Sequence, residues 1–165
     1  NDITQRKREE KKIKYLSFHD QMTGLYNRRF FESEMERLDK SRKLPISIIM
    51  SDINGLKKVN DKYGHAKGDQ YIKTVANEIK KAVRQEDILA RVGGDEFAIL
   101  LPYTNEEDVK KIEKRIQNNM HKLDENSDYP VGISTGYAIK KNKNMKLEDI
   151  FKKADYQMYQ MKCKC

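Results

Sequence analysis

The stretch Ile88-Leu-Ala-Arg-Val-Gly-Gly-Asp-Glu-Phe-Ala-Ile-Leu-Leu101 holds two short apolar runs joined through Gly93-Gly94-Asp95-Glu96. Apolar runs of this length bounded by glycine read as strands, and a Gly-Gly junction reads as a hairpin. By itself such a pair is only a tight turn of type I′ or II′. Two adjacent carboxylates at its tip ask for more. Like charges side by side cost energy unless cations neutralise them. A divalent metal would do so, and glycines would let a ligand approach the backbone closely.

Outward from the hairpin, strands and helices interleave. Pro45 opens a β-branched run, Ile46–Ile53, that reads as a strand. Val131–Ala138 reads as another. Helical spacing of apolar residues predicts helices over Arg28–Lys40 (capped by Asn27), Gln70–Arg84, Glu106–Leu123 (capped by Thr104 or Asn105) and Leu147–Lys162. Asn54–Asp69 is polar and contains glycine, and reads as a loop. Residues 4–19 read as an exposed charged helix that needs a partner. The expected fold is α/β, an α+β sandwich with a mixed, mainly antiparallel central sheet flanked by helices.

The chain has 165 residues, which suits one domain of about 100–200 residues. Mean hydropathy is −0.94, and no apolar run approaches the roughly 18–20 residues needed to cross a bilayer. The charged start has no apolar leader core. Its only cysteines, Cys163 and Cys165, rule out a disulfide framework and suit a reducing, cytoplasmic location. Net charge is +8, but residues 20–139 carry twenty charges of each sign. The excess lies at the two ends, as on solvated helical faces. With no aromatic stacking platform either, nucleic acid is not an expected partner.

Several residues outside the hairpin could carry chemistry. Asp52 ends the strand Ile46–Ile53. It is either a terminal acid facing water or, if this strand neighbours the hairpin, a carboxylate converging on Asp95. Two carboxylates and a backbone carbonyl suit Mg²⁺ in two-metal phosphoryl transfer. Asp69 is either the N-cap of the next helix or, with Asn60, a reader of guanine's N–H donors and acceptors. Lys57 and Lys162 could neutralise phosphates. Arg84-Gln-Glu-Asp87 is either helix-end surface charge or an arginine and a carboxylate able to grip a guanine.

Together these residues resemble the GGDEF family of diguanylate cyclases, over about residues 15–162. Gly93-Gly94-Asp95-Glu96-Phe97 is the complete signature. Asp20-Gln-Met-Thr-Gly-Leu-Tyr-Asn-Arg-Arg29 is similar to the family's opening D-x-L-T-G-L-x-N-R-R, with Met22 for leucine. Ser51-Asp52-Ile53-Asn54-Gly55-Leu56-Lys57, with Asn60-Asp61 and Gly64-His65-x-x-Gly68-Asp69, resembles its metal and guanine segment. Ala154-Asp155-x-x-Met158-Tyr159-x-x-Lys162 resembles its closing helix.

The resemblance implies a core like the polymerase palm and the class III nucleotide cyclases. It implies that two GTP condense into cyclic di-GMP and two pyrophosphates across a head-to-head homodimer. Asp52, Asp95 and the Ile53 carbonyl would hold two Mg²⁺, for which Mn²⁺ can substitute. Glu96 would help activate the 3′-hydroxyl. Asn60, Asp69 and nearby His65 would take guanine. Lys57, Lys162, the amides around Gly55 and Leu56, and Gly93 and Gly94 would hold the rest of GTP. Arg84, Asp87 and Arg115 would form an inhibitory product site. Asn54 stands where many members have a second Asp, and the arginine with which members usually contact phosphate is expected further along the chain than Lys162.

Asn1-Asp-Ile-Thr-x-Arg-Lys-Arg-x-Glu10 resembles the tail of PAS sensor domains. Residues 1–18 are thus expected to be a signalling helix or linker after an upstream sensor, and 19–165 the cyclase domain. The competing reading is a catalytically silent receptor for GTP or cyclic di-GMP. A mixed GMP–AMP product is a further alternative, against which Asp69 speaks.

Overall fold

All eight residues of strand β2, Ile46–Ile53, are buried, as a continuous β-branched run predicts for a strand covered on both faces. The computed structural model describes residues 2–164. Asn1, the first residue of the PAS-like tail, and Cys165 lie outside them. The elements run α1 Asp2–Phe18, β1 Tyr26–Asn27, α2 Arg28–Asp39, β2 Ile46–Ile53, α3 Leu56–Tyr63, α4 His65–Ala82, β3 Ile88–Arg91, β4 Glu96–Leu101, α5 Glu106–Glu125, β5 Ile133–Lys140 and α6 Leu147–Cys163.

The five strands form one sheet in the order β1-β3-β4-β2-β5. β3 and β4 are the expected hairpin, pairing Ile88 with Leu100 and Arg91 with Phe97. β2 runs antiparallel to both β4 and β5, and β1 pairs β3 in parallel. Alternate residues of β2 serve two cores. Ile49 and Ile53 pack with Val75 and Ile79 of α4 and Val109 and Ile116 of α5. Ile48 and Met50 pack with Phe31 and Leu38 of α2 and Ile150 and Met158 of α6. Asp52 shares the parity of Ile48 and Met50, so it faces the α6 side.

Asn27 and Asn105 cap α2 and α5, accepting from Phe30 N at 3.0 Å and Asp108 N at 2.9 Å. Thr104 is buried elsewhere, accepting from the Arg84 guanidinium. β5 lies two residues later than expected, for two reasons. Gly132 is drawn into a contact with the Tyr71 phenol, and Val131 N donates to Asp124 at 2.8 Å. At the other end the strand continues to Lys140, whose buried ammonium donates to Asp39 Oδ1 at 2.7 Å and to the Asp39 carbonyl at 2.9 Å.

The largest departure is at 54–69, which is helical rather than a loop. α3 and α4 meet at Gly64, whose φ of +91° suits glycine. Asp69 is therefore not an N-cap; it stands in the second turn of α4. α1 is helical as expected and has no buried residue. Its end is joined to the sheet by stacked rings: Tyr15 on His19 at 3.9 Å, His19 on Tyr26 at 4.8 Å, and Tyr26 on Phe30 at 4.1 Å.

Candidate active site

In the β2–β4 register Asp52 lies opposite Glu96, and Ile53 N donates to the Asp95 carbonyl at 2.9 Å. Oxygens of Asp52, Asp95 and Glu96 all lie within 4.8 Å of one another. Asp52 is 4% exposed, so it does not face water. One of its oxygens, Oδ2, accepts from Lys162 Nζ at 2.5 Å. The other, Oδ1, is buried with no hydrogen-bond partner among the described residues. Burial pushes the Asp52 carboxyl up to about 6, against the Lys162 ammonium and with the help of Asp95. Glu96 is also raised, by burial first and then by Asp155 and Asp95.

Lys162 reaches this point because α6 lies directly on β5. A Cβ at Gly136 would come within 2.3 Å of Met158 N and 2.4 Å of the Ala154 carbonyl, so only glycine admits this approach. A groove of about 530 Å³ between Asp52, Glu96, Asp155, Tyr156, Tyr159 and Lys162 results.

The next elements carry the proposed nucleotide contacts. Gly55, at φ +74°, leads into α3 with no side-chain cap, so first-turn amides such as Leu56 N–H lack intrahelical acceptors. Lys57 is exposed in that first turn. Asn60 of α3 presses on α4 at Gly68, where a Cβ would lie 1.6 Å from Asn60 Oδ1. That close approach is at the residue preceding Asp69, and Asn60 Oδ1 is buried with no partner among the described residues. His65 begins α4 and is exposed.

Arg84, Asp87 and Arg115 gather elsewhere. Asp87 accepts from Arg84 N at 2.8 Å, from Nε at 3.3 Å and from Nη2 at 3.1 Å. Arg84 Nη2 also donates to the Pro102 carbonyl at 3.2 Å. Arg115 donates to the Ala82 carbonyl at 2.9 Å, two residues before Arg84. A cavity of about 410 Å³ opens beside Arg84 and Asp87, walled also by His19, Tyr26 and Leu89.

A family model described as "Diguanylate cyclase, GGDEF domain" matches residues 17–165. The chain belongs to the GGDEF family. Among curated relatives it is 37% identical over 155 residues to the "Probable diguanylate cyclase DgcT" of Escherichia coli, covering 90% of this chain and 34% of that one. It is 31% identical over 167 residues to the E. coli diguanylate cyclase DgcM, covering 98% of this chain and 40% of that one. The chain thus spans well under half the length of these relatives. Among solved structures, the coiled coil and GGDEF domain of DgcB from Caulobacter crescentus, in complex with c-di-GMP, shares the fold. The TM-score is 0.86 at 24% identity, over 96% of this chain and 87% of that one. The GGDEF domain of PA1120 (YfiN or TpbB) from Pseudomonas aeruginosa matches with TM-score 0.77 at 30% identity, over 87% and 93% of the two chains.

GGDEF domains generally use a divalent metal, and the residues present here fit one. Three carboxylates converge, one buried oxygen lacks a partner among the described residues, and oxygen-only donors suit Mg²⁺. The GGDEF turn is also held by Arg91, which no motif singles out, and by Asp20 and Thr23 of the opening motif, for which the sequence suggests no role. Arg91 donates to the Gly94 carbonyl at 2.8 Å and to both Asp20 oxygens at 3.3 Å. Asp20 accepts in turn from Thr23 N at 2.9 Å and Thr23 Oγ1 at 2.7 Å. Asp20 is held below the usual carboxylate range: burial opposes ionisation, but the Thr23 and Arg91 bonds outweigh it. Neither a motif nor the apolar spacing of its helix singles out Tyr71 in the sequence.

Proposed function

We propose that this GGDEF domain is a diguanylate cyclase. The observation that supports this best is the convergence of Asp52, Asp95 and Glu96 beside an uncapped helix start and the Asn60/Asp69 pair. Asp52, Asp95 and the Ile53 carbonyl would hold two Mg²⁺, with Mn²⁺ as a substitute. Bound metal supplies charge neutralisation for the attacking and leaving oxygens. Asn60 and Asp69 bind guanine, with His65 at the rim. The Gly55 and Leu56 amides, Lys57, Lys162 and the Gly93-Gly94 backbone position the ribose and phosphates.

Two protomers meet head to head, each carrying one GTP. Each 3′-oxygen attacks the α-phosphorus of the other nucleotide. One P–O bond forms, the bond to pyrophosphate breaks, and Glu96 takes the hydroxyl proton. Product binds back at Arg84, Asp87 and Arg115 and inhibits. In the full protein residues 1–18 are a signalling helix after a PAS-type sensor, and 19–165 the cyclase domain. Among the described residues no helix is long and apolar enough to cross a membrane. A cytoplasmic location belongs to the same proposal, since GTP is found there.

A catalytically silent receptor that binds GTP or cyclic di-GMP is the second reading. The Arg84/Asp87 grouping fits it as well as it fits an inhibited cyclase, because it stands at the far end of β4 from the carboxylates. The test is incubation of concentrated protein with GTP and Mg²⁺, beside Asp95→Ala, with products read by mass spectrometry. Cyclic di-GMP from the parent chain alone supports the cyclase. If a chain fused to a coiled-coil dimeriser is also silent yet binds cyclic di-GMP, the receptor reading replaces it.

A further inference from the structure

Tyr71 stands two residues after Asp69 on α4 and is 1% exposed. A leucine would fill such a place without needing a hydrogen bond, whereas a buried phenol does need one. Its hydroxyl lies 2.9 Å from the Asn54 carbonyl and 3.2 Å from the Gly132 carbonyl, and accepts from Gly132 N at 3.0 Å. The Gly132 carbonyl already accepts from Asn54 N at 2.9 Å. The single hydroxyl hydrogen therefore matters most to the Asn54 carbonyl. The Asn54 side chain is held as well, accepting from the Ser134 hydroxyl at 2.9 Å.

A peptide unit is planar and trans, so its C=O and N–H point in opposite directions. The unit that carries the Asn54 carbonyl also carries the Gly55 N–H. Gly55 follows at φ +74°, in backbone that glycine leaves soft. Tyr71 pulls the carbonyl inward, and the Gly55 N–H is thereby aimed away from the core at the entrance of α3. We infer that Tyr71 is a positioning residue that orients the Asn54–Gly55 peptide so that its N–H serves as a phosphate donor. This rests on the nucleotide reading above.

The test compares the full chain with Tyr71→Phe, which keeps the ring and removes only the hydroxyl. The probes are guanosine and a GTP analogue with a methylene bridge between its α- and β-phosphorus, each titrated with Mg²⁺ present. The analogue should bind Tyr71→Phe about tenfold more weakly, while guanosine binds both proteins alike. With GTP itself, KM should rise more than kcat falls. Equal analogue affinity for the two proteins would overturn the inference, and so would an equal loss for guanosine and analogue. A parent chain that binds neither probe, alone or as a forced dimer, would instead overturn the nucleotide reading and the inference with it.

Discussion

The two ends of β4 hold carboxylates in opposite states. At Glu96, where the strand begins, Asp52, Asp95 and Glu96 crowd around the single ammonium of Lys162. At Leu101, where it ends, the Asp87 side chain is fully buried but takes three bonds from Arg84. Both ends bury negative charge next to a cation. At the first end acid outnumbers base, one buried oxygen has no partner among the described residues, and Asp52 is driven up to about 6 by burial. At the second the buried Asp87 is matched by Arg84, which also pairs with the exposed Glu86 at 3.5 Å. The first arrangement costs stability and gains from any cation that enters; the second is stable as it stands, and a ligand there must compete for Arg84.

Five substitutions probe this contrast. The largest effect belongs to the crowded end. Asp95→Ala or Asp52→Asn should cut cyclic di-GMP formation by roughly a hundredfold or more, read by mass spectrometry. Mg²⁺ should raise the Tm of the parent chain and leave Asp52→Asn unmoved. Without metal, Asp52→Asn should melt no lower than the parent, because it removes a buried, repelled charge; a clear drop would break the idea that this end is overcharged.

At the other end, Arg84→Ala should weaken cyclic di-GMP binding about 10–100-fold by calorimetry. It should also lower Tm, since Asp87 keeps its burial and loses its cation. Unaltered affinity would remove Arg84 from the product site. Smaller again is the effect of Asp69→Ser, which should lower the preference for GTP over ATP, as a ratio of kcat/KM, by about tenfold. An unchanged ratio would refute its role with Asn60.

The smallest effect tests a balanced pair away from either site. Burial opposes ionisation of Asp39, but the bonds from Lys140 and Leu147 N outweigh it and hold the carboxyl below its usual range. Its folded pKa is thus below the unfolded value of about 3.9, so folding is favoured while pH stays above that value. The gain is lost as pH falls through the lowered folded pKa. Lys140→Met should cost about 1 kcal/mol at pH 7 by urea unfolding, and the gap to the parent should narrow on acidification. A gap constant with pH would mean that packing, not the ion pair, matters at Lys140.

Much of the frame was legible in the residues. The hairpin around Gly93-Gly94, the buried run Ile46–Ile53, and the helices through Phe31 and Leu38, Val75 and Ile79, and Val109 and Ile116 all announce themselves by apolar period. That signal exists because each element turns one face, or two, to a core. α3 escaped it because Val59 is its one buried residue, and its other positions are largely charged or polar. The converging carboxylates were legible as types and partly as neighbours, since an antiparallel β2–β4 pairing brings Asp52 to Glu96.

Other features of the site came only from long-range packing. The bond from Lys162 to Asp52 spans 110 residues and depends on Gly136 letting α6 touch β5. Asn60 presses on α4 just before Asp69 because Gly68 leaves room, and the partners of Tyr71 lie 17 and 61 residues away. Arg91 holds the GGDEF turn to Asp20 across 71 residues. Local composition and period settle which residues seek the interior, because burial acts on each side chain through its own surface. Which polar groups then meet inside is set by how helices and strands pack, and no local pattern encodes that.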